Sequence, residues 1–597
     1  MRQQTVHQAW IIAAAALVFF TNLGATALWD EDEPIYATCA REMLQRNDWV
    51  VPRFNGTLFP EKPPLMFWTM IAGFKVFGIN EFGSRVGSAI LGILTALATY
   101  HLGRRLFSAK VGLWAGLIIP ATFIFTVSAR AATVDCALAL VTLLSVYCFV
   151  LSEAGKIAPL PVGDGAIRDC LRGWFWLALM YACFGVAVLA KGPIGLLLPA
   201  AGIGFYVMVV NHLRRIDAKP RTRMRNRGLR GLVWTAGLVN PLNFLRSLWQ
   251  LRPLTGCVVV LLVAAPWYIL VDQRTHGEFT AQFFSMFNLR PFSQPFLGHR
   301  GPFWYHLPVL LIGFFPWSVF MGPTLIDWTQ RIRQRHPWWP AYLLLACWSA
   351  AFFIFWSICK TKLPHYLLPI YPALALATAA FVDHWLAEPA ILGRRSVWIA
   401  WGITIVVGLG FVGAFPILAT LFLPGEGSIG LVGLILTVGG GVSLYLVQHQ
   451  RRLPGMVVFA ATAVLFITAI FGFAALRIDR HQNARALLAK IHADSPGQPT
   501  LMAYRFLQKS YVYYAGRPVD YYQDAEALHR RLDSKTGYVF SNERYGEELM
   551  RQYPGEFEVL VRQRRFLHAG DVLVLAHRKN SLPECTALRT SQGPERR

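Results

Sequence analysis

Charge is scarce in this 597-residue chain: Asp, Glu, Lys and Arg make up 15% of it, and hydrophobic residues 55%. That balance excludes an ordinary soluble protein of this size, whose surface would need far more charge. Acids are scarcer still, 33 against 57 Lys and Arg, for a formal net charge of +24. Such an excess invites a nucleic-acid reading. The basic residues, however, sit mostly in short loops between apolar runs, the pattern of membrane topology, so no nucleic-acid partner is expected. Cysteine is sparse and unpatterned. Nine residues, an odd number without repeated spacing, exclude both a disulfide framework and a zinc pattern; a single pairing of Cys39 with Cys585, both on the outer side of the topology below, stays open. Internal repeats are absent.

What the chain has instead is a succession of apolar runs of about 20 residues, each long enough to cross a bilayer as a helix. Mean hydropathy is +0.41. Backbone groups in lipid must be satisfied within the segment, so the runs imply an all-α polytopic membrane protein. About thirteen spans are expected, over 9–29, 82–103, 110–129, 134–152, 174–190, 192–211, 254–271, 304–325, 339–359, 363–382, 396–422, 428–448 and 454–476. The stretch 64–79 is apolar but short and reads as an interfacial helix or part of a re-entrant loop.

The loop 212–252 holds ten Lys or Arg against one acid, Asp217, which places it in the cytoplasm. Alternation then brings Arg104, Arg105, Lys110, Arg168, Arg172, Arg331, Arg333, Arg335, Arg394, Arg395, Arg451 and Arg452 to the same side and the C-terminus outside. Ala25-Thr26-Ala27 looks like a signal-peptide cleavage site, but the apolar stretch before it is longer than a usual signal core, so the span is expected to be retained. Residues 1–476 thus form a transmembrane domain with outer loops 30–81 and 272–303. After 476 the pattern changes to a small extracytoplasmic α/β domain, 477–597. It has helices at 481–494, 525–534 and 542–552 and strands at 499–506, 518–523, 537–541, 557–562 and 571–577. A Ser-, Pro- and Arg-rich tail reads as disordered.

The candidate chemistry lies in the outer loops. The first opens with Asp30-Glu31-Asp32-Glu33 and closes with Pro60-Glu61-Lys62-Pro63-Pro64. Asp30 and Glu31 read as a solvated span end. Asp32 and Glu33 start an apolar-periodic segment, where carboxylates also cap free backbone donors. Asp135 follows at the outer end of the fourth span, then Lys191-Gly192-Pro193. The loop 272–303 and its exit bring Asn288, Arg290, His299, Arg300 and Tyr305. The last group is Lys360-Thr361-Lys362-Leu363-Pro364-His365-Tyr366. A single ionisable residue at a span end is usually a snorkelling anchor. Five groups of both signs at one face point to a shared site. Carboxylates there suit a divalent cation or a base, and cations beside them suit a phosphate leaving group. Outside the cell the natural energy source is a lipid-linked, phosphate-activated donor.

These residues resemble the GT-C-fold glycosyltransferases of the ArnT and protein O-mannosyltransferase kind, with lipid A aminoarabinose and galacturonic-acid transferases nearest in likeness. The matching stretches are Asp32-Glu33-Pro34-Ile35-Tyr36-Ala37, Arg41-Glu42-Met43-Leu44, Asp48 to Gly56, Glu61-Lys62-Pro63-Pro64, Asp135, Leu189 to Pro193, Gly298 to Pro302 and Lys362 to Pro369. The resemblance implies an inverting transfer of one monosaccharide from a polyprenyl-phosphate donor to a lipid A-like, glycan or protein acceptor at the outer face of a bacterial inner membrane. It implies Asp32 as the principal catalytic acid, with Glu33 beside it. Glu61 and Asp135 correspond to metal-site carboxylates, with a divalent ion as a possible cofactor. Lys62, Lys191, Arg300, Lys362, His365 and Tyr366 would form the donor pocket. Two departures, Ile35 for an arginine and Phe59 for a tyrosine, set this chain apart from the aminoarabinose enzymes. The alternative, a transporter or flippase of lipid-linked saccharides, would carry its charges near the bilayer midplane.

Overall fold

The computed structural model describes residues 2–29, 32–152, 166–217, 237–238, 240–290, 294, 298–391, 393–532, 537–566 and 570–578, the side chains of 166–171 and 217 excepted. Asp30, Glu31, the Arg168 side chain, Cys585, the C-terminal tail and much of the basic loop lie outside what is described. The chain divides into two compact units, Met1–Asp479 and Arg480–Arg597.

The first unit is a helical bundle. Among the described residues ten helices are long and apolar enough to cross a membrane, or twelve if each of two bent pairs is one span. The pairs are Ala109–Ala121 with Phe123–Arg130, bent by 65°, and His306–Gly313 with Trp317–Arg333, bent by 114°. These twelve correspond to the second through thirteenth expected spans. The first differs. Its helix runs Arg2–Phe20, earlier than expected, because Thr21–Ala25 turn out of it. Its N-terminal half carries Arg2, Gln3, Gln4, His7 and Gln8, which dilutes its apolar character below that of the other spans.

The first outer loop folds into a helix, Asp32–Gln45, a hairpin of β1 (Arg53–Phe54) and β2 (Thr57–Leu58), and the short apolar helix Leu65–Phe77. The hairpin turns on Asn55-Gly56, both at positive φ (55° and 79°). That is the geometry of a type I′ turn, which Asn-Gly favours. Side chains tie the loop to its surroundings: Trp68 Nε1 donates to the Trp49 carbonyl at 2.9 Å, Trp267 Nε1 to that of Val50 at 3.1 Å, and Arg274 pairs with Asp48 at 2.9 Å.

The second unit is an α/β domain. Its sheet has the order β4-β3-β5-β7-β6, with β3 Thr500–Tyr504, β4 Asp520–Tyr522, β5 Gly537–Asn542, β6 Phe557–Arg564 and β7 Asp571–His577. β3 runs parallel to β4 and β5, and β7 antiparallel to β5 and β6. Val539, Leu573 and Leu575 are fully buried in its core. A short helix, Lys509–Ala515, was not legible in the sequence. It is seven residues long and its aromatic-rich stretch has no clear 3.6-residue period. Among the described residues no cysteine forms a disulfide, and Cys39 is buried.

Candidate active site

The helix Asp32–Gln45 begins with two neighbouring carboxylates of opposite fate. Glu33 is buried against the guanidinium of Arg85, one turn into the span Glu81–Leu106. Arg85 Nε and Nη2 donate to its two oxygens at 2.8 and 2.7 Å. The backbone N–H groups of Trp29 and Ala132 donate to the same carboxylate at 2.8 and 2.7 Å. The remaining Arg85 donors go to the carbonyls of Leu23, Thr26 and Ala27. A bidentate, fully hydrogen-bonded pair of this kind tolerates burial. It ties the end of the first span, the loop helix and the chain before Asp135 at one point. Glu33, expected beside Asp32 in the catalytic pair, lines the cavity with it, but both of its oxygens are engaged in these scaffold bonds.

Asp32, one residue earlier, is exposed to a cavity of about 960 Å³. Its carboxylate accepts from the Tyr36 hydroxyl at 3.4 Å, one helical turn on. Burial, reinforced by the carboxylates of Asp32, Glu61 and Asp135, raises the Tyr36 phenol well above its ordinary pKa, so it stays a proton donor. Glu61 and Lys62, in the turn after the hairpin, line the same cavity, as do Asp135, Lys191, His365 and Tyr366. The residue farthest in sequence from Asp32 is thus brought to it by the packing of span ends.

Asp135 opens the span Asp135–Ser152 and Lys191 closes the helix Ala166–Lys191. Lys191 Nζ lies 2.7 Å from Asp135 Oδ1, and His365 Nε2 3.9 Å from Oδ2. Lys191 also sits 5.1 Å above the Tyr366 ring, which packs on Trp356 at 3.9 Å between centroids. Gly192 makes this corner possible. Its φ is +74°, and a Cβ there would meet the Phe283 ring at 2.7 Å. Phe283, Phe287 and Asn288, from the π-helical segment Phe283–Leu289, cover this side of the cavity. Away from the charges the walls are apolar, with Phe123, Val127, Ile312, Phe355 and Phe471 among them.

Two expected donor-pocket residues are placed elsewhere. Lys362 Nζ donates to the carbonyls of Trp356 and Ser357 at 2.7 and 2.6 Å. It caps the C-terminal end of the helix Trp339–Ile358, and burial lowers its pKa. Arg300 pairs through its backbone with Thr361 and is exposed rather than among the cavity walls. His299, by contrast, does line the cavity. A metal site at Glu61 and Asp135 is not shown. Among the described residues no three His, Cys, Asp or Glu side chains are placed to hold an ion, and the Asp135 carboxylate is taken up by Lys191 and His365. Sequence reasoning passed over Arg85 and Arg130, both wall residues. Their only signal was an arginine inside an apolar run, which is costly in lipid unless paired.

Comparison with known proteins agrees with this architecture. Residues 9–276 match the family model of dolichyl-phosphate-mannose-protein mannosyltransferase. An undecaprenyl phosphate-alpha-4-amino-4-deoxy-L-arabinose arabinosyl transferase of Pectobacterium carotovorum is 28% identical over 469 residues, 77% of this chain and 74% of that one. Its counterpart in Edwardsiella ictaluri is 28% identical over 459 residues, 74% and 73% of the two chains. The crystal structure of ArnT from Cupriavidus metallidurans bound to undecaprenyl phosphate superposes with a TM-score of 0.73 at 23% identity, covering 95% of this chain and 97% of that one. Sequence matches and shared fold together support a membrane glycosyltransferase of the ArnT-like, GT-C kind.

Proposed function

We propose that this protein moves one sugar from a polyprenyl-phosphate carrier to an acceptor at the outer face of a bacterial inner membrane, with inversion at the anomeric carbon. One observation carries the reading: a single cavity joins apolar walls, suited to a lipid chain, to a polar end holding both a solvent-facing carboxylate and several cations. The relatives named for undecaprenyl-phosphate aminoarabinose transfer use a donor of that class. The donor phosphate would lie against Lys62 and Lys191, whose charges stabilise the oxygen that leaves. Asp32 would receive the acceptor proton. An acceptor oxygen bonds to the anomeric carbon as the bond to the carrier phosphate oxygen breaks, and that electron pair departs with the phosphate. With a phosphate acceptor, as on lipid A, Asp32 chiefly orients. Glu33 and Arg85 hold Asp32 in place.

The basic loop 212–252 supports a cytoplasmic position for that end of the bundle, and with it a periplasmic one for the cavity. Ile35 and Phe59 favour a sugar other than aminoarabinose. The test is purified protein in nanodiscs with synthetic undecaprenyl-phosphate sugars, reading release of undecaprenyl phosphate and sugar on lipid A. Absence of turnover with every such donor, for folded protein, would sink the reading.

A further inference from the structure

The helix Pro241–Gln250 is amphipathic in the wrong sense for a protein core. Its buried residues are polar, Asn243 and Ser247, at 0% and 2% exposure. Its large apolar residues face outward: Leu242 is 68% exposed, Leu245 58% and Trp249 73%, with Phe244 and Leu248 beside them. At 100° per residue these five fall on one broad arc, opposite Asn243 and Ser247. The polar face is pinned by specific bonds. Asn243 Nδ2 donates to the carbonyls of Met208 and Leu238 at 3.1 Å, and Asn211 Nδ2 donates to Ser247 Oγ and Gln250 Oε1 at 3.0 Å. Those bonds fix the rotation of the helix, so the outward turn of the apolar arc is built in.

Its place decides what covers that arc. The polar face rests on the last turns of the helix Pro193–Asp217, whose opposite end carries Ile194 in the cavity wall. Two residues, Leu251 and Arg252, join it to the span Pro253–Arg274, and Arg252 makes the sharp change of direction at φ +51°. A ten-residue helix is about 15 Å long and cannot cross a bilayer. It therefore lies at the bilayer surface, at the end of the bundle remote from the candidate active site. In sequence, the charge flanking this helix is of one sign. Arg246 and Arg214 are exposed, and 212–252 holds ten basic residues against Asp217. Outward apolar residues with basic neighbours are the features of a helix bedded in an anionic lipid surface.

We propose that the helix Pro241–Gln250 is an interfacial anchor that binds the anionic phospholipid headgroups of the leaflet on that side, its apolar arc entering the acyl boundary and Arg246 and Arg252 meeting the phosphates. The contact is independent of the sugar-transfer reading, since none of its residues lines the cavity.

Hydrogen–deuterium exchange of residues 241–250 tests it, on the full chain in nanodiscs of phosphatidylcholine alone or with about a third phosphatidylglycerol. Protection of the helix should rise with the anionic lipid. In the anionic nanodiscs Arg246→Gln with Arg252→Gln should lose it by about five-fold per arginine, the factor equivalent to about 1 kcal/mol. Leu245→Asn with Trp249→Asn should lose protection in both lipids, while the buried helix Asp135–Ser152 keeps its own as a folding control. Equal exchange in the two lipids, with the arginine pair without effect, would overturn the proposal. So would protection that needs an added cytosolic protein fraction, since the arc would then be a protein interface.

Discussion

Both ends of the helical bundle bury an aspartate at a span terminus beside a basic side chain and a histidine. At one end Asp135 meets Lys191 and His365. At the other Asp327, 4% exposed, meets His384 at 2.9 Å and Arg331 at 3.3 Å. The pairs are alike in residue type and burial. They differ in what lies next to them. Asp135 borders a cavity of about 960 Å³ that also receives Asp32, Glu61 and Lys62. The Asp327 cluster is packed between the ends of the helices Met321–Arg333 and Tyr371–Ala387, with Glu388 as a further neighbour of His384 at 3.5 Å. A buried ion pair in a membrane bundle is thus no sign of a site by itself. An accessible carboxylate opposite cations, in a space large enough for a substrate, is the discriminating feature.

The contrast is broken most directly at Asp32. Asp32→Asn is nearly isosteric and should lower transfer by about 10² to 10⁴-fold, the usual loss for a general base, while thermal unfolding in detergent shifts by ~0.5 kcal/mol or less. Near-normal activity of purified Asp32→Asn would remove the first outer loop from the chemistry. The next effect is on stability. Arg85→Ala leaves the Glu33 carboxylate buried without its cation, which should cost about 3–5 kcal/mol. Pairing it with Glu33→Gln should recover part of that loss without full activity, because Asp32 loses its support. A single Arg85→Ala variant as stable as the parent would show that the tie is dispensable.

At the closed end, Asp327→Asn should cost about 1–3 kcal/mol, as for a weakened buried hydrogen bond, and leave turnover per folded molecule unchanged. Slowed turnover at matched folding would mean the two ends are coupled. The smallest effect is expected at Glu42, whose carboxylate accepts from the Gly56 N–H at 3.2 Å. Burial raises its pKa above the ordinary carboxylate value, against the lowering effect of that bond and of Arg41 and Arg46. A raised folded pKa means the fold favours the protonated form. Its contribution is fully present below the unfolded pKa of about 4.3 and is lost as pH rises through the folded value. Glu42→Gln should therefore gain on the parent between about pH 4 and neutrality. Unfolding midpoints that run parallel over that range would rule out this titration.

Twelve spans were legible because about 20 consecutive apolar residues have few other uses. The first was misplaced because Gln, His and Arg in its opening turns hid where the helix begins. The loop hairpin announced itself only as Asn55-Gly56, two residues in an otherwise mixed stretch. At the site, motif position could not separate Asp32 from Glu33, since both begin the same helix. Lys362 and Arg300 looked like phosphate binders because a sequence records charge and side but not aim. Lys362 bends back onto open carbonyls at a helix end, a partner that no residue pattern encodes.

Sequence alone determined that this is a polytopic helical membrane protein with an α/β domain after the last span. It also placed the charged segments between the spans, because transfer free energy in lipid depends on composition over a length the chain itself displays. Only the tertiary structure decided which of the charges face a common space and which are spent on one another. That outcome depends on the rotation and termination of separate helices, and the Arg85–Glu33 contact joins residues 52 apart in the chain. A one-residue step along the helix that starts at Asp32 turns a side chain by about 100°, which separates a carboxylate open to the cavity from one paired with a guanidinium.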